Sequence, residues 1–153
     1  MSGTDMPLEQ LLGHLDRLAQ NSLSLWDIPD GAKARLINVS ENATYLVEGP
    51  DGFRAILRIH RENYHTHRAI ECELTWLEAL DSAGVVTTPG YYAGRDGDPI
   101  QEGRVEGLDA PRYMVLFHFV SGSAPDESRD LTKGFEELGA IAARCHDHVL
   151  GWK

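Results

Sequence analysis

Two β-forming stretches, ATYLVE (43–48) and GFRAILRIHR (52–61), are joined by Gly49-Pro50-Asp51-Gly52. A link so short and so rich in turn residues makes them an antiparallel hairpin. A weaker alternating stretch, ARLINV (34–39), precedes them across the polar turn Ser40-Glu41-Asn42. Alternation in the third stretch places Phe53, Ala55, Leu57 and Ile59 on one face, and Arg54, Ile56, Arg58 and His60 on the other. The sheet built from these strands has one apolar face and one that carries cations.

Helical patterns flank the strands. Leu8, Leu11, Leu12, Leu15 and Leu18 recur at helical spacing over 5–19, with Asp5 and Pro7 at the start, and Trp26 and Ile28 follow in a connector. A second helix is expected over 67–82, ended by Gly84 and Pro89. Wound at about 100° per residue, it sets Glu73 inside the apolar arc of Ile70, Leu74, Leu77 and Leu80, while Glu71 and Glu78 fall on the wet side. A carboxylate among buried side chains is costly unless it is paired and hydrogen-bonded.

Further along, GYYAG (90–94), the turn RDGD (95–98) and PIQEGRVE (99–106) suggest another hairpin. RYMVLFHFV (112–120) is the most apolar strand and is expected in the sheet interior. A last helix is expected over 129–149, with Leu131, Phe135, Leu138, Ile141, Ala142, Cys145 and Val149 as its stripe. The class is α+β, an antiparallel sheet of about five strands with packed helices.

The chain's 153 residues suit one domain with a moderate core. A net charge of −10, from 14 basic against 24 acidic side chains, argues against broad nucleic-acid or anionic-membrane binding. Cys72 and Cys145 form no spaced framework and read as free thiols. With no apolar run near membrane-spanning length and no leader pattern, the expected location is cytoplasmic. The sequon Asn42-Ala43-Thr44 then has no secretory context.

Five segments in order, NVSENATYLVE, AILRIHR, IECELTWLEAL, VLFHFVSG and LGAIAARCHDH, span residues 36–148. In this order and spacing the chain resembles the N-terminal lobe of the kinase-like phosphotransferases, the group of aminoglycoside phosphotransferases, choline kinases and type II homoserine kinases. The resemblance implies an N-terminal helix and connector over 1–30, a nucleotide-binding lobe over 31–120, and a hinge with the first helix of a second lobe over 121–153. It implies that ATP is bound, with Arg58 on the phosphates and Glu73 holding Arg58 in place. Ser40 and the backbone of Glu41, Asn42 and Ala43 would form the phosphate-covering turn, although it lacks the glycine-rich pattern and Glu41 is unfavourable there unless it points away. Adenine would be read by the backbone at His118 and Val120, with Phe117 behind it.

The family's His-Gly-Asp catalytic loop, its downstream Asn and its metal-binding Asp have no counterpart in these residues. The expectation is therefore no turnover by this polypeptide alone, Mg²⁺ only where the second lobe is present, and an unidentified hydroxyl as acceptor. Without that lobe the last helix would expose its stripe and invite self-association.

Two other functional classes stand beside this one. The first is a non-catalytic kinase-like binding module. The second is a cupin-like metal protein through His65, His67 and Glu71, although Ile59 and Glu78 stand where that motif wants glycine. Ser-Arg-Asp-Leu (128–131) superficially resembles a kinase catalytic loop, but Ser128 and Phe135 occupy its diagnostic ends, and Asp126, Ser128 and Asp130 read as helix-start residues. His146 matches a family position near the helix end, where it is structural, and Asp147 and His148 read as solvated.

Overall fold

A computed structural model describes residues 6–152. Asp5, read as lying just ahead of the first helix, falls outside the described residues. Helix α1 runs Leu8–Ser22 with Pro7 at its N-cap, and a single 3₁₀ turn follows at Leu23–Leu25. The strands are β1 (Lys33–Val39), β2 (Asn42–Glu48), β3 (Arg54–His60), β4 (Gln101–Gly103) and β5 (Arg112–His118), and the longer helices are α2 (His67–Ser82) and α3 (Thr132–Gly151). The five strands form one antiparallel sheet in the order β1-β2-β3-β5-β4. Among the described residues no helix is long and apolar enough to cross a membrane.

The chain divides into two compact units. One combines the residues through Glu71 with Gly90–Phe119, and the other combines Cys72–Pro89 with the residues from Val120 onward. In the first unit, Leu15, Leu18, Ala19, Leu23 and Trp26 pack against one face of the sheet, meeting Ala43, Tyr45 and Val47 of β2, Ala55, Leu57 and Ile59 of β3, and Met114 and Leu116 of β5. These are the alternate residues of each strand, which is why the period-two pattern was readable there. Leu8 departs from the expected stripe and is exposed, since it stands on the first turn of α1. The Tyr45 hydroxyl, on a fully buried ring, donates to Asp16 on α1 at 2.8 Å and fixes the helix on the sheet. Burial together with the Asp16 carboxylate pushes the Tyr45 phenol well above its ordinary range.

The Gly49–Gly52 hairpin forms as expected, with Asp51 and Gly52 both at positive φ. The weak alternation of β1 has a structural cause, a bulge between Leu36 and Asn38. The second hairpin is a correction. The tight turn at 94–98 exists, closed by Gly94 N–H to the Asp98 carbonyl, but its flanks do not pair with each other. Tyr91 instead bridges Phe117, and β4 is short and pairs with β5. Both flanks find their hydrogen bonds on the interior strand.

In the second unit, Thr88 donates to the Leu77 carbonyl (2.9 Å) and Arg144 to the Val85 carbonyl (3.3 Å). None of the α3 residues is fully buried, and Phe135, Leu138, Val149 and Leu150 are exposed. Ahead of α3, Asp126 accepts from Ser128 and Asp130 from Thr132, each through backbone N–H and hydroxyl. Those bonds hold both carboxyls below their ordinary range, as expected of turn and helix-start chemistry. Cys72 and Cys145 are free thiols.

Candidate functional site

Strand β3 lies between β2 and β5, and its register composes the face turned away from α1. Thr44, Arg58 and Val115 form one cross-strand row, and Leu46, Ile56 and Phe117 form the next. Phe117 and Val115 are buried, whereas Leu46, Ile56 and Arg58 are only half-buried. The result is a partly open apolar shelf with a guanidinium at its margin. The Arg58 guanidinium carbon lies 4.8 Å from the centre of the Phe117 ring, within cation–π range. At the opposite end of β3, Arg54 lies 4.0 Å over Phe119. His60, assigned by alternation to the Arg58 face, is almost completely buried, with Nδ1 at 3.1 Å from the Tyr113 carbonyl.

The turn between β1 and β2 is held at both ends. Ser40 N–H donates to the Asn42 carbonyl at 3.1 Å, and Asn42 Oδ1 accepts from Arg61 N–H at 3.3 Å. The Glu41 carboxylate is drawn aside to the Arg61 guanidinium at 3.4 Å. Ala43 is buried in the core. This turn also walls a cavity of about 240 Å³ on the α1 side, with Leu8, Leu11 and Leu15 opposite it.

At the end of β5, His118 N–H donates to the Gly90 carbonyl at 2.8 Å, so its backbone N–H is already engaged. Its ring packs edge-on against Tyr92 and touches Gly90, where a Cβ would come within 2.9 Å of the imidazole. Only glycine permits that approach. Val120 and Glu73 belong to the second unit. Val120 is exposed, whereas Glu73 is half-buried on the side of α2 where Ile70, Leu74 and Leu80 are buried, and Glu71 and Glu78 are exposed. The inward lean of Glu73 read from the helical period is thus found.

The sequence expectations omitted Thr44, Leu46 and Ile56 from the site. Alternation within β2 and β3 carries that signal, but only the strand register shows that they share a face with Phe117. The Arg54–Phe119 stack and the Arg61–Glu41 pair left no pattern in the sequence. Of the His-x-His residues, His65 packs edge-on against Tyr64 and His67 against Tyr113, while Glu71 pairs with Arg68 at 3.0 Å. Among the described residues no three His, Cys, Asp or Glu side chains group as a metal site.

The family model of the phosphotransferase enzyme family matches residues 33–150. The chain belongs to that family. A solved structure of a microcompartment-associated aminopropanol kinase is 44% identical, with a TM-score of 0.74, and the match covers 88% of this chain and 41% of that one. An amicoumacin kinase solved with AMP-PNP, Ca²⁺ and Ami is 16% identical, with a TM-score of 0.72 over 97% of this chain and 41% of its own, a likeness of fold. No curated protein matches the sequence. The chain thus spans about two fifths of the length of these kinases, and its five-stranded antiparallel sheet with helices is the kinase-like fold.

Proposed function

We propose that this chain is the nucleotide-binding part of an ATP-dependent kinase that phosphorylates the hydroxyl of a small molecule. The observation that carries the reading is Arg58, a cation at the margin of a half-open apolar shelf, at the position where the resemblance implies a phosphate-binding residue. The shelf of Leu46, Ile56 and Phe117 suits the flat face of a purine, and a guanidinium suits phosphate oxygens, so these residues fit the nucleotide. Ser40 and the backbone of Glu41, Asn42 and Ala43 would cover the phosphates, and the backbone at His118 and Val120 would meet the base. Removal of the Glu41 carboxylate to Arg61 favours this, because it takes a negative charge away from the phosphate path.

In this reading Glu73 steadies the Arg58 fork. Its partial burial beside exposed Glu71 and Glu78 supports that role, since a half-buried carboxylate calls for a cation. Phosphoryl transfer depends on positioning and on charge stabilisation, with the base that orients the attacking hydroxyl and the Mg²⁺ ligands expected outside this chain. Turnover by this polypeptide alone is therefore not expected. The 44% identity to an aminopropanol kinase supports an amino alcohol as acceptor.

The test is the nucleotide dependence of thermal unfolding, because a ligand that binds only the folded state must raise Tm. ATP, with and without Mg²⁺, should raise it, and Glu73→Ala should reduce that shift more than Glu78→Ala does. An ATP response absent from the wild type, or equal in the two variants, would overturn the assignment. A second reading, a non-catalytic module that self-associates, is favoured by the exposed Phe135, Leu138, Val149 and Leu150 on α3. Light scattering showing a concentration-dependent dimer that Phe135→Glu dissolves, with no ATP response, would support it instead.

A further inference from the structure

The His-x-His segment, for which the kinase reading has no use, lines a cleft of about 400 Å³ between the loop after β3 and the start of β5. Arg61, Arg112, His65, His67, Tyr64 and Tyr113 contribute to its walls, all within the first unit. Nearly every polar side chain there can donate a hydrogen bond. Glu62 is the single acidic side chain among the described lining residues, and it is taken up by Arg112 at 3.2 Å. The cleft also meets the N-terminal turn of α2, where His67 begins the helix and the backbone carries partial positive charge.

Arg112 is the second, independent sign. Only 5% of its side chain is exposed, one guanidinium nitrogen is held by Glu62, and its Nε has no hydrogen-bond partner. A buried N–H without an acceptor marks Arg112 as a desolvated, incompletely satisfied cation on the wall of the cleft. Burial pulls the Arg112 pKa down and Arg61 adds to this, opposed by Glu62. An anion in the cleft would offset both effects on Arg112. Arg61 is exposed, and its partner Glu41 also lies at the surface, so this guanidinium can turn to a ligand at little cost.

We infer that this cleft is an oxyanion site for inorganic phosphate or a small phosphate monoester, distinct from the Arg58 shelf of the proposed nucleotide site, although Arg61, Glu62 and Arg112 also line the cavity walled by the turn at 40–43. Arg61 and Arg112 supply the charge, and His65, His67 and the tyrosine hydroxyls supply directional donors around a tetrahedral anion.

The experiment uses the ¹⁵N-labelled full chain, titrated with potassium phosphate and, separately, with potassium chloride at matched ionic strength. Saturable amide shifts confined to 61–67 and 110–113 are expected with phosphate alone. Arg61→Gln should weaken that binding roughly tenfold, as loss of a charge-assisted bond does, and His67→Gln should weaken it as well; both positions are exposed, so both variants should fold. Arg58→Ala should leave the shifts in place. Shifts that chloride reproduces, that persist unchanged in Arg61→Gln, or that vanish in Arg58→Ala would overturn the site. The last of these results would move the phosphate to the nucleotide shelf.

Discussion

The two faces of the sheet are made by the same strands and differ sharply in burial. Toward α1, Tyr45, Val47, Ala55, Leu57 and Leu116 are fully buried in a continuous apolar layer. On the reverse, one residue along each strand, Leu46, Ile56 and Arg58 remain half-open and Phe117 carries a cation against its ring. Neighbours in sequence thus differ in purpose, because a strand sends successive side chains to opposite faces. Folding free energy should concentrate on the first face and ligand recognition on the second. A mutation that obeys the wrong face would break this division.

The largest effect is expected from Leu57→Ala. The residue is fully buried between α1 and the sheet, so the substitution removes contacts and leaves a cavity. It should lower the unfolding free energy by about 2–5 kcal/mol, read as a fall in the urea midpoint with unchanged m-value. A loss below about 1 kcal/mol would mean that the core can collapse around the gap and that the face is less tightly packed than its burial indicates.

Next in size is Tyr45→Phe, which keeps the ring and removes the donor to Asp16. A hydrogen bond to a charged acceptor contributes about 1.5–3 kcal/mol, and Asp16 is open to water, so the lower end of that range is expected. The double variant with Asp16→Ala should cost little more than either single one, since both remove the same bond. The folded-state pKa of Tyr45 lies above its unfolded value. Its contribution is therefore complete below the unfolded pKa of about 10 and declines as pH rises beyond it. The advantage of the wild type over Tyr45→Phe should shrink and then reverse as pH rises above about 10, because the buried phenol must ionise on unfolding and phenylalanine has no proton to lose.

How much of this was legible beforehand follows from the range of the interactions. The bounds of α2, the Gly49–Gly52 hairpin and the inward side of Glu73 are set by period, turn chemistry and a stop signal, all local, and they were readable. Arg58 could be assigned to a face for the same reason. The pairing of Tyr91 with Phe117 was not readable, because two plausible local flanks competed with an interior strand far along the chain. Nor was the shelf, whose members Leu46, Ile56 and Phe117 meet only through strand register. The phosphate cleft draws on segments around 61–67 and 110–113, and no local pattern joins them. Burial of His60 likewise reflects its carbonyl partner at Tyr113, invisible to alternation.

The smallest change in stability is expected from Ile56→Ala, and it is the most discriminating. Ile56 adjoins Leu57 in sequence, is of similar size and occupies the opposite face. Being half-open, it should cost no more than about 1 kcal/mol when truncated, much of that from reduced β-propensity in an interior strand. Yet it stands between Leu46 and Phe117 at the middle of the proposed base shelf. The apolar area it offers a purine, at about 25 cal/mol per Å² removed from water, is enough to weaken ATP several-fold when lost. Leu57→Ala, measured well below its lowered Tm, should retain ATP affinity within about twofold, since its side chain is on the other face. If both variants lose ATP equally, binding reports general stability and the shelf has no special part. If Ile56→Ala costs as much stability as Leu57→Ala and leaves ATP untouched, the reverse face is simply a second core.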